Sequence, residues 1–592
     1  MNFTELLISQ TVVSLKRCAG AALNTHGLTD TFSNIDAWMA SARMACLLAV
    51  PLLYLAAAAL SGANPQASLP GGAARPRDET LCGWRWAERG AVLAMVAAAL
   101  CLLALLQGGP LSVLGGLFVA DALACTVLLL VSFVGWVIVR YSKTYLAGEA
   151  GQARFRVWLM LTLATVSLVV ISNHLALLAV AWFATSVALH QLLVFYGTRR
   201  PALVAAHKKF LASRLADLFL AAAVVLIAST EHTLFIDQIV ARAQALAATD
   251  ALPWGLQAAM VLIVFAALLK CAQLPVHGWL IQVMEAPTPV SALLHAGVVN
   301  LGGYVLIRFG GLLAEVPVAQ TLLVVVGSVT AVLAALVMMT RISVKVMLAW
   351  STCAQMGFML MQCGLGAYGL ALLHLVGHSL YKAHAFLAAG GAVEQARLQR
   401  LSPPAPRLSA GAALSSAALG LLLSALAVGS AAWVWGAPLT FDPTLWVLIF
   451  VICLAMVPLL SAQALRVGGA WPLLLVVGSF AVALLYFALH HVAAMWLGTL
   501  ARPQLASQGL MAWAGSWVLF SFGTLFVLQT WIRSRPQSRL ARGLYPWFYA
   551  GLYLDEWFTR LTFRVWPVRL GSPAAALPLP ASTSALTSKG IQ

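Results

Sequence analysis

The chain has 592 residues, 62% of them hydrophobic and only 9% charged, whereas a soluble domain is about a quarter charged. This excludes a soluble enzyme or a nucleic-acid-binding module, and the net charge of +17 falls mostly in short loops between apolar runs, where membrane topology requires it. The nine cysteines are scattered without CxxC or Cys/His metal spacing and read as small apolar residues.

Residues 1–41 are semi-polar, lack a signal-peptide cleavage pattern and are read as an N-terminal extracytoplasmic segment. Apolar runs long enough to cross a bilayer core then recur, giving about fifteen predicted spans. Their limits are 42–60, 90–107, 116–139, 157–172, 174–197, 210–229, 255–283, 291–309, 318–340, 346–362, 368–393, 408–434, 444–461, 471–497 and 508–531. The fold class is an all-α polytopic membrane protein. Alternate loops carry the cations, among them Arg75, Arg85, Arg140, Lys143, Arg199, Arg200, Arg341, Arg397, Arg400 and Arg533. The intervening loops are short, uncharged or acidic, with Arg242, Arg308 and Arg502 as exceptions. The positive-inside rule puts the basic loops in the cytoplasm, the amino terminus outside and the carboxyl terminus inside. The expected location is a bacterial inner membrane. The segment "PWFYAGLYLDEWFTRLTFRVWPVRL" (546–570) is too polar to span and reads as an interfacial or partner-docking helix. Residues 571–592 are rich in Pro, Ala, Ser and Thr and read as a disordered tail.

Ionisable groups inside lipid are costly and commonly mark ion routes. Lys270 lies far into its span and is followed by Pro275, which breaks the helix. A broken helix is tolerated only where protein or water covers the freed backbone. A wet cavity is therefore expected there; snorkelling to an interface, the alternative, is awkward at that depth. Arg214 and Asp217 stand three apart, hence neighbours on a helix, and Asp217 is the candidate partner of Lys270. His295 opens the next helix and is read as a proton relay or as a hydrogen-bonded interior histidine. His374, His378 and Lys382 stand four apart on one helical stripe, a proton wire, a helix–helix hydrogen-bonding surface or, far less favoured, a metal site. Lys345 opens the preceding helix as a pathway residue or a topology anchor. Lys208, Glu285 and Asp121 are supporting charges beside apolar spans. His277, His384, His490 and His491 are read as structural.

"LLKCAQLPVHGWLIQVMEAPTPVSALLHAGVV" resembles the signature of the antiporter-like, proton-pumping membrane subunits of respiratory complex I and of Mrp-type cation antiporters. The resemblance extends over most of 115–393, through "YSKTYLAGE", "HKKFLASRLADLFL", "KVMLAWSTCAQMGFMLM" and "HLVGHSLYKAHAFLAAG". It implies inverted five-helix repeats with broken helices: peripheral helices over 42–156, a first repeat over 157–309, a second, partly degenerate one over 318–461, and C-terminal helices over 471–570. It also implies a central row carried onto Asp217, Lys270, His295, Lys345, His374, His378 and Lys382. Two departures stand out. Phe183 in "AVAWFATSVALH" occupies the place of the family's fifth-span glutamate, and the twelfth span has no charge. Both argue against a complete respiratory proton pump. The wording "GWLIQVMEAPTPVSALLHAGVVNLGGYVLIRF" is similar, more narrowly, to the membrane subunits of DAB-type inorganic carbon transporters. That resemblance implies an energy-coupling subunit conducting protons or sodium for CO₂/bicarbonate uptake. It also implies a large soluble DabA-type partner on the cytoplasmic face that holds zinc, and a dimer of heterodimers. No metal, cofactor, nucleic acid or catalytic site is expected of this chain itself. A complex I-like or Mrp-like translocating subunit is the alternative.

Overall fold

The computed structural model describes residues 25–62, 77–249, 252–401, 409–435, 443–460, 471–498 and 508–567. The tail expected over 571–592 and the first 24 residues lie outside them. In chain order the helices are α1 (Thr25–Gly62), α2 (Arg77–Gly108), α3 (Ala122–Tyr145), α4 (Gln152–Ile171), α5 (Leu175–Leu193), α6 (Arg200–Glu231), α7 (Ile236–Thr249), α8 (Trp254–Lys270), α9 (Gly278–Gln282), α10 (Thr288–Ala296) and α11 (Leu301–Arg308). They continue with α12 (Pro317–Met338), α13 (Val344–Gly364), α14 (Tyr368–Leu387), α15 (Ala392–Leu401), α16 (Ala410–Val434), α17 (Pro443–Met456), α18 (Trp471–Leu497), α19 (Gln508–Ser534), α20 (Arg539–Tyr549) and α21 (Leu554–Val565). Among the described residues, twelve helices are long and apolar enough to cross a membrane. The shorter α8 and α17 and the His- and Lys-bearing α14 supply the remaining expected spans. The chain is a multi-pass membrane protein.

Boundaries move where local chemistry overrides hydropathy. The third span begins at Ala122, not 116, because 111–113 and 118–120 pair as an antiparallel hairpin, β1 and β2. The turn between them uses left-handed backbone at Gly115 and Gly116, a conformation glycine adopts without a Cβ penalty, and Asp121 then caps α3 by accepting from the Ala124 amide at 2.9 Å. The first helix begins by Thr25 rather than near 42, so part of the expected polar leader is helical. The region after α6 holds a further helix, α7. Of the polar segment at 546–570, the described residues up to 567 form the end of α20 and all of α21, two amphipathic helices joined by a short turn at Gly551–Tyr553.

Antiparallel neighbours place two ends opposite each other. One end carries the basic loops and α20–α21: Arg341 donates to the Phe548 carbonyl at 3.4 Å and Trp566 stacks on His207 with centroids 4.0 Å apart. The other holds the hairpin, with Trp496 Nε1 donating to Thr126 Oγ1 at 2.9 Å. At mid-bundle α12 and α13 cross with backbone nearly touching. A Cβ at Gly327 would fall 2.6 Å from the Gly357 carbonyl oxygen, and one at Gly357 would fall 2.5 Å from the Gly327 oxygen. Small residues allow such close approach, which in lipid is a main source of helix association. Gly357→Ala should therefore cost about 1–3 kcal/mol, the usual penalty of overpacking, and the purified chain should melt at a lower temperature than one carrying Ala at the open position Gly523.

Candidate functional site

The seventh span breaks where Lys270 ends α8. The chain runs non-helically through 271–277 and resumes as α9. Each freed backbone group needs a partner, since none is available in lipid. The Gln273 amide donates to the Leu268 carbonyl at 3.1 Å, the Leu274 amide to Thr330 Oγ1 at 3.3 Å, Cys353 Sγ to the Ala272 carbonyl at 3.3 Å and Gln273 Nε2 to the Cys271 carbonyl at 2.9 Å. The eighth span breaks too: Gly297 leaves helical geometry between α10 and α11, and a short 3-10 turn, Val298–Asn300, follows. Gly302 packs on the first break, where a Cβ would meet Cys271 Sγ at 2.3 Å.

Lys270 Nζ lies 2.7 Å from Asp217 Oδ1, and Arg214 Nη2 lies 2.8 Å from Asp217 Oδ2. One carboxylate thus joins two cations from α6 and α8. The Lys270 ammonium also sits 4.5 Å over the Trp182 ring. Phe183, standing where the resembled family has a glutamate, packs its ring under Arg214 at 4.0 Å. The acid that pairs with Lys270 comes from the sixth span. Lys209 shares the site: fully inside the bundle, it donates to the Ser186 carbonyl at 2.6 Å and to Ser186 Oγ at 2.8 Å. Between Lys209 and Lys270 lies a cavity of about 20 Å³ lined by Ser186, Ser213, Trp279 and Val299, room for one water molecule with polar partners. Lys209 is not among the residues that the sequence analysis singles out. Its signal is present, since Lys209, Ser213 and Asp217 stand four apart and share one helical stripe.

The second break leads to α14. Asn300 Nδ2 donates to Ser379 Oγ at 2.7 Å, and His378 Nε2 lies 3.3 Å from the His295 carbonyl. His295 is buried and stacks on Phe386 with centroids 4.4 Å apart. Among the described residues, no atom hydrogen-bonds either of its ring nitrogens. His374 Nδ1 lies 3.0 Å from Gln362 Oε1 and borders a cavity of about 310 Å³ with Gln355 and Tyr486. Lys382, buried on the same stripe, donates to the Leu348 carbonyl at 3.0 Å. Among the described residues no carboxylate pairs with it, unlike Lys270. Lys345 donates to Thr288 Oγ1 at 2.8 Å at the basic end.

The supporting residues divide. Arg214 is in the triad and Pro275 in the break. Lys208 points elsewhere, pairing with Asp555 at 2.7 Å. Asp121 caps α3 and pairs with Arg308 at the end opposite the basic loops. Both of its carboxylate oxygens are engaged there, one by the helix terminus and one by the ion pair. Glu285 is exposed in the 3-10 turn Val283–Glu285, away from the buried charges. No cluster of three or more His, Cys, Asp or Glu fit for a metal occurs among the described residues. The twelfth span, α16, runs unbroken and uncharged from Ala410 to Val434.

A bundle with two broken helices and a lysine–aspartate–arginine site at the first break has the architecture of the antiporter-like membrane subunits. Residues 172–430 match the family described as NADH:quinone oxidoreductase/Mrp antiporter, TM, and residues 116–156 match the complex I chain 5 N-terminus. A solved Mrp complex from Dietzia sp. DQ12-45-1b shares the fold: the TM-score is 0.56 at 23% identity, over 89% of this chain and 60% of that one. Nearer in sequence is the probable inorganic carbon transporter subunit DabB of Hydrogenovibrio crunogenus, 43% identical over 462 residues, 78% of this chain and 85% of the relative. DabB2 of Halothiobacillus neapolitanus is also 43% identical, over 75% of this chain and 79% of its own length. The chain belongs to the DabB family.

Asp217→Ala should leave Lys270 and Arg214 without their shared carboxylate. Removing one partner of a buried pair costs about 3–5 kcal/mol, so the melting temperature of the purified chain should fall steeply. Asp217→Asn, which keeps an acceptor, should fall between this variant and wild type.

Proposed function

We propose that this chain is the energy-coupling, proton-conducting membrane subunit of an inorganic carbon uptake complex, working with a soluble zinc-binding subunit related to carbonic anhydrases. The observation that carries the reading is the Lys270–Asp217–Arg214 triad at a broken helix, in a chain whose relatives are named inorganic carbon transporter subunits. A proton reaching the cavity beside Lys209 and Lys270 changes which of these groups Asp217 pairs with. The second break, through Asn300, Ser379 and His378, carries the disturbance to the stripe on α14. His295 and His374 are relays along it. The carboxyl terminus and the basic loops face the cytoplasm, where the partner docks, by the distribution of Lys and Arg. Movement of one proton through the membrane potential releases about 2.3 kcal/mol per 100 mV, enough to bias a conformational change at that face.

A second reading, translocation within a complex I-like or Mrp-like assembly, is favoured by the match of residues 172–430. Phe183 and the uncharged, unbroken α16 weigh against it.

The test is growth in air of a carbonic-anhydrase-deficient host carrying the chain and its partner. Lys270→Ala should accumulate in the membrane and abolish growth, and Lys382→Ala should slow labelled inorganic carbon uptake at least tenfold. Wild-type growth of the Lys270→Ala strain would remove the triad from the mechanism. Copurification of quinone-reductase subunits in place of a zinc protein would favour the second reading.

A further inference from the structure

The carboxyl-terminal amphipathic helix α21 sends a carboxylate into the mouth of the first break. Asp555 Oδ1 accepts from Lys208 Nζ at 2.7 Å and Oδ2 accepts from Gln282 Nε2 at 2.9 Å. The Lys208 side chain is wholly buried, whereas that of Asp555 is 30% exposed. The acid therefore straddles the boundary between water and the bundle interior. The fit is specific. A Cβ at Gly278 would fall 1.4 Å from Asp555 Oδ1, so the carboxylate occupies the space that the missing side chain leaves. Trp279, the next residue, lines the Lys209–Lys270 cavity. Around this contact α21 is held by Trp566 stacked on His207 and by Gly551 seated against Trp350, where a Cβ would lie 3.2 Å from the ring.

We propose that Asp555 is a member of the ion pathway, the carboxylate at its basic-end mouth that exchanges protons between water and the buried Lys208 behind it. The Lys208 ammonium gives its proton to a water molecule in the mouth beside Gly278, which hands it past Trp279 to water in the Lys209–Lys270 cavity. It is reloaded from the Asp555 carboxyl, which is itself reprotonated from water, so one proton crosses and no electrons move. The exposed side of Asp555 makes α21 part of the conduction route as well as an anchor at the membrane surface. This inference rests on the proposed transport function.

The competing role is a purely structural salt bridge, and one double variant separates the two. A buried ion pair can be replaced by apolar residues of similar volume at little or no cost to stability. Lys208→Met/Asp555→Leu should thus accumulate and assemble as wild type does. In the same host, its labelled inorganic carbon uptake should drop at least tenfold. Asp555→Glu should stay within about threefold of wild type. Gly278→Ala, which alters no ionisable group, should push the carboxylate out and also lose at least tenfold. Uptake at the wild-type rate in the double variant or in Gly278→Ala overturns the proposal, and if the double variant does not accumulate, Gly278→Ala decides. Lys270→Ala, run in parallel, keeps the two claims apart. If it alone transports normally the transport reading fails, and if it is inactive while the Asp555 and Gly278 variants are active only this inference fails.

Discussion

The ion pair between Lys270 and Asp217 is the contact around which the rest is arranged. A helix interrupted inside a membrane must find partners for every freed backbone group, and an ammonium at its broken end must find an anion. Asp217 supplies that anion from α6, at 2.7 Å, while Arg214 holds its other oxygen. The geometry obliges α6 and α8 to pack closely, and it brings Lys209, Ser213 and Ser186 around a water-sized cavity. Take away the carboxylate and Lys270 and Arg214 lose their shared partner, which destabilises the bundle.

The break also explains the polar groups that the apolar helices around it retain. Thr330 and Cys353 lie in otherwise hydrophobic spans, and both turn toward the non-helical segment to satisfy its backbone. Asn300 performs the same service at the second break, donating to the Ala296 carbonyl at 3.1 Å, and its bond to Ser379 Oγ joins the 3-10 turn to α14. These side chains are the covering that allows irregular backbone at membrane depth. These bonds tie the two breaks to α12, α13 and α14.

The two halves of the bundle are unequal. The first concentrates charge at its break and meets water at the basic end through α21. The second keeps its histidines and Lys382 but has no carboxylate opposite that lysine among the described residues, and α16 shows no interruption. This asymmetry of charge between the two breaks accompanies kinship to DabB subunits.

Spans, class and most of the buried ionisable row were legible in the sequence, because hydrocarbon imposes a strict length and polarity on each helix and makes every exception conspicuous. Lys270, Asp217, His295 and the α14 stripe stood out for that reason, and so did the absence of an acid at Phe183. Apart from the Lys270–Asp217 pair, which is expected because Asp217 is the one acid deep in that region, the sequence does not show where long-range partners lie. Lys209 and Lys208 are adjacent letters, yet helical geometry turns one into the cavity and the other toward Asp555, 347 residues away. Asp121 and Glu285 are both acids beside apolar spans, yet packing gives one to a helix cap and Arg308 and leaves the other exposed. Local hydropathy and periodicity are written residue by residue, so the sequence alone determined them. Which charge meets which depends on how distant helices cross, and only the tertiary structure decided that.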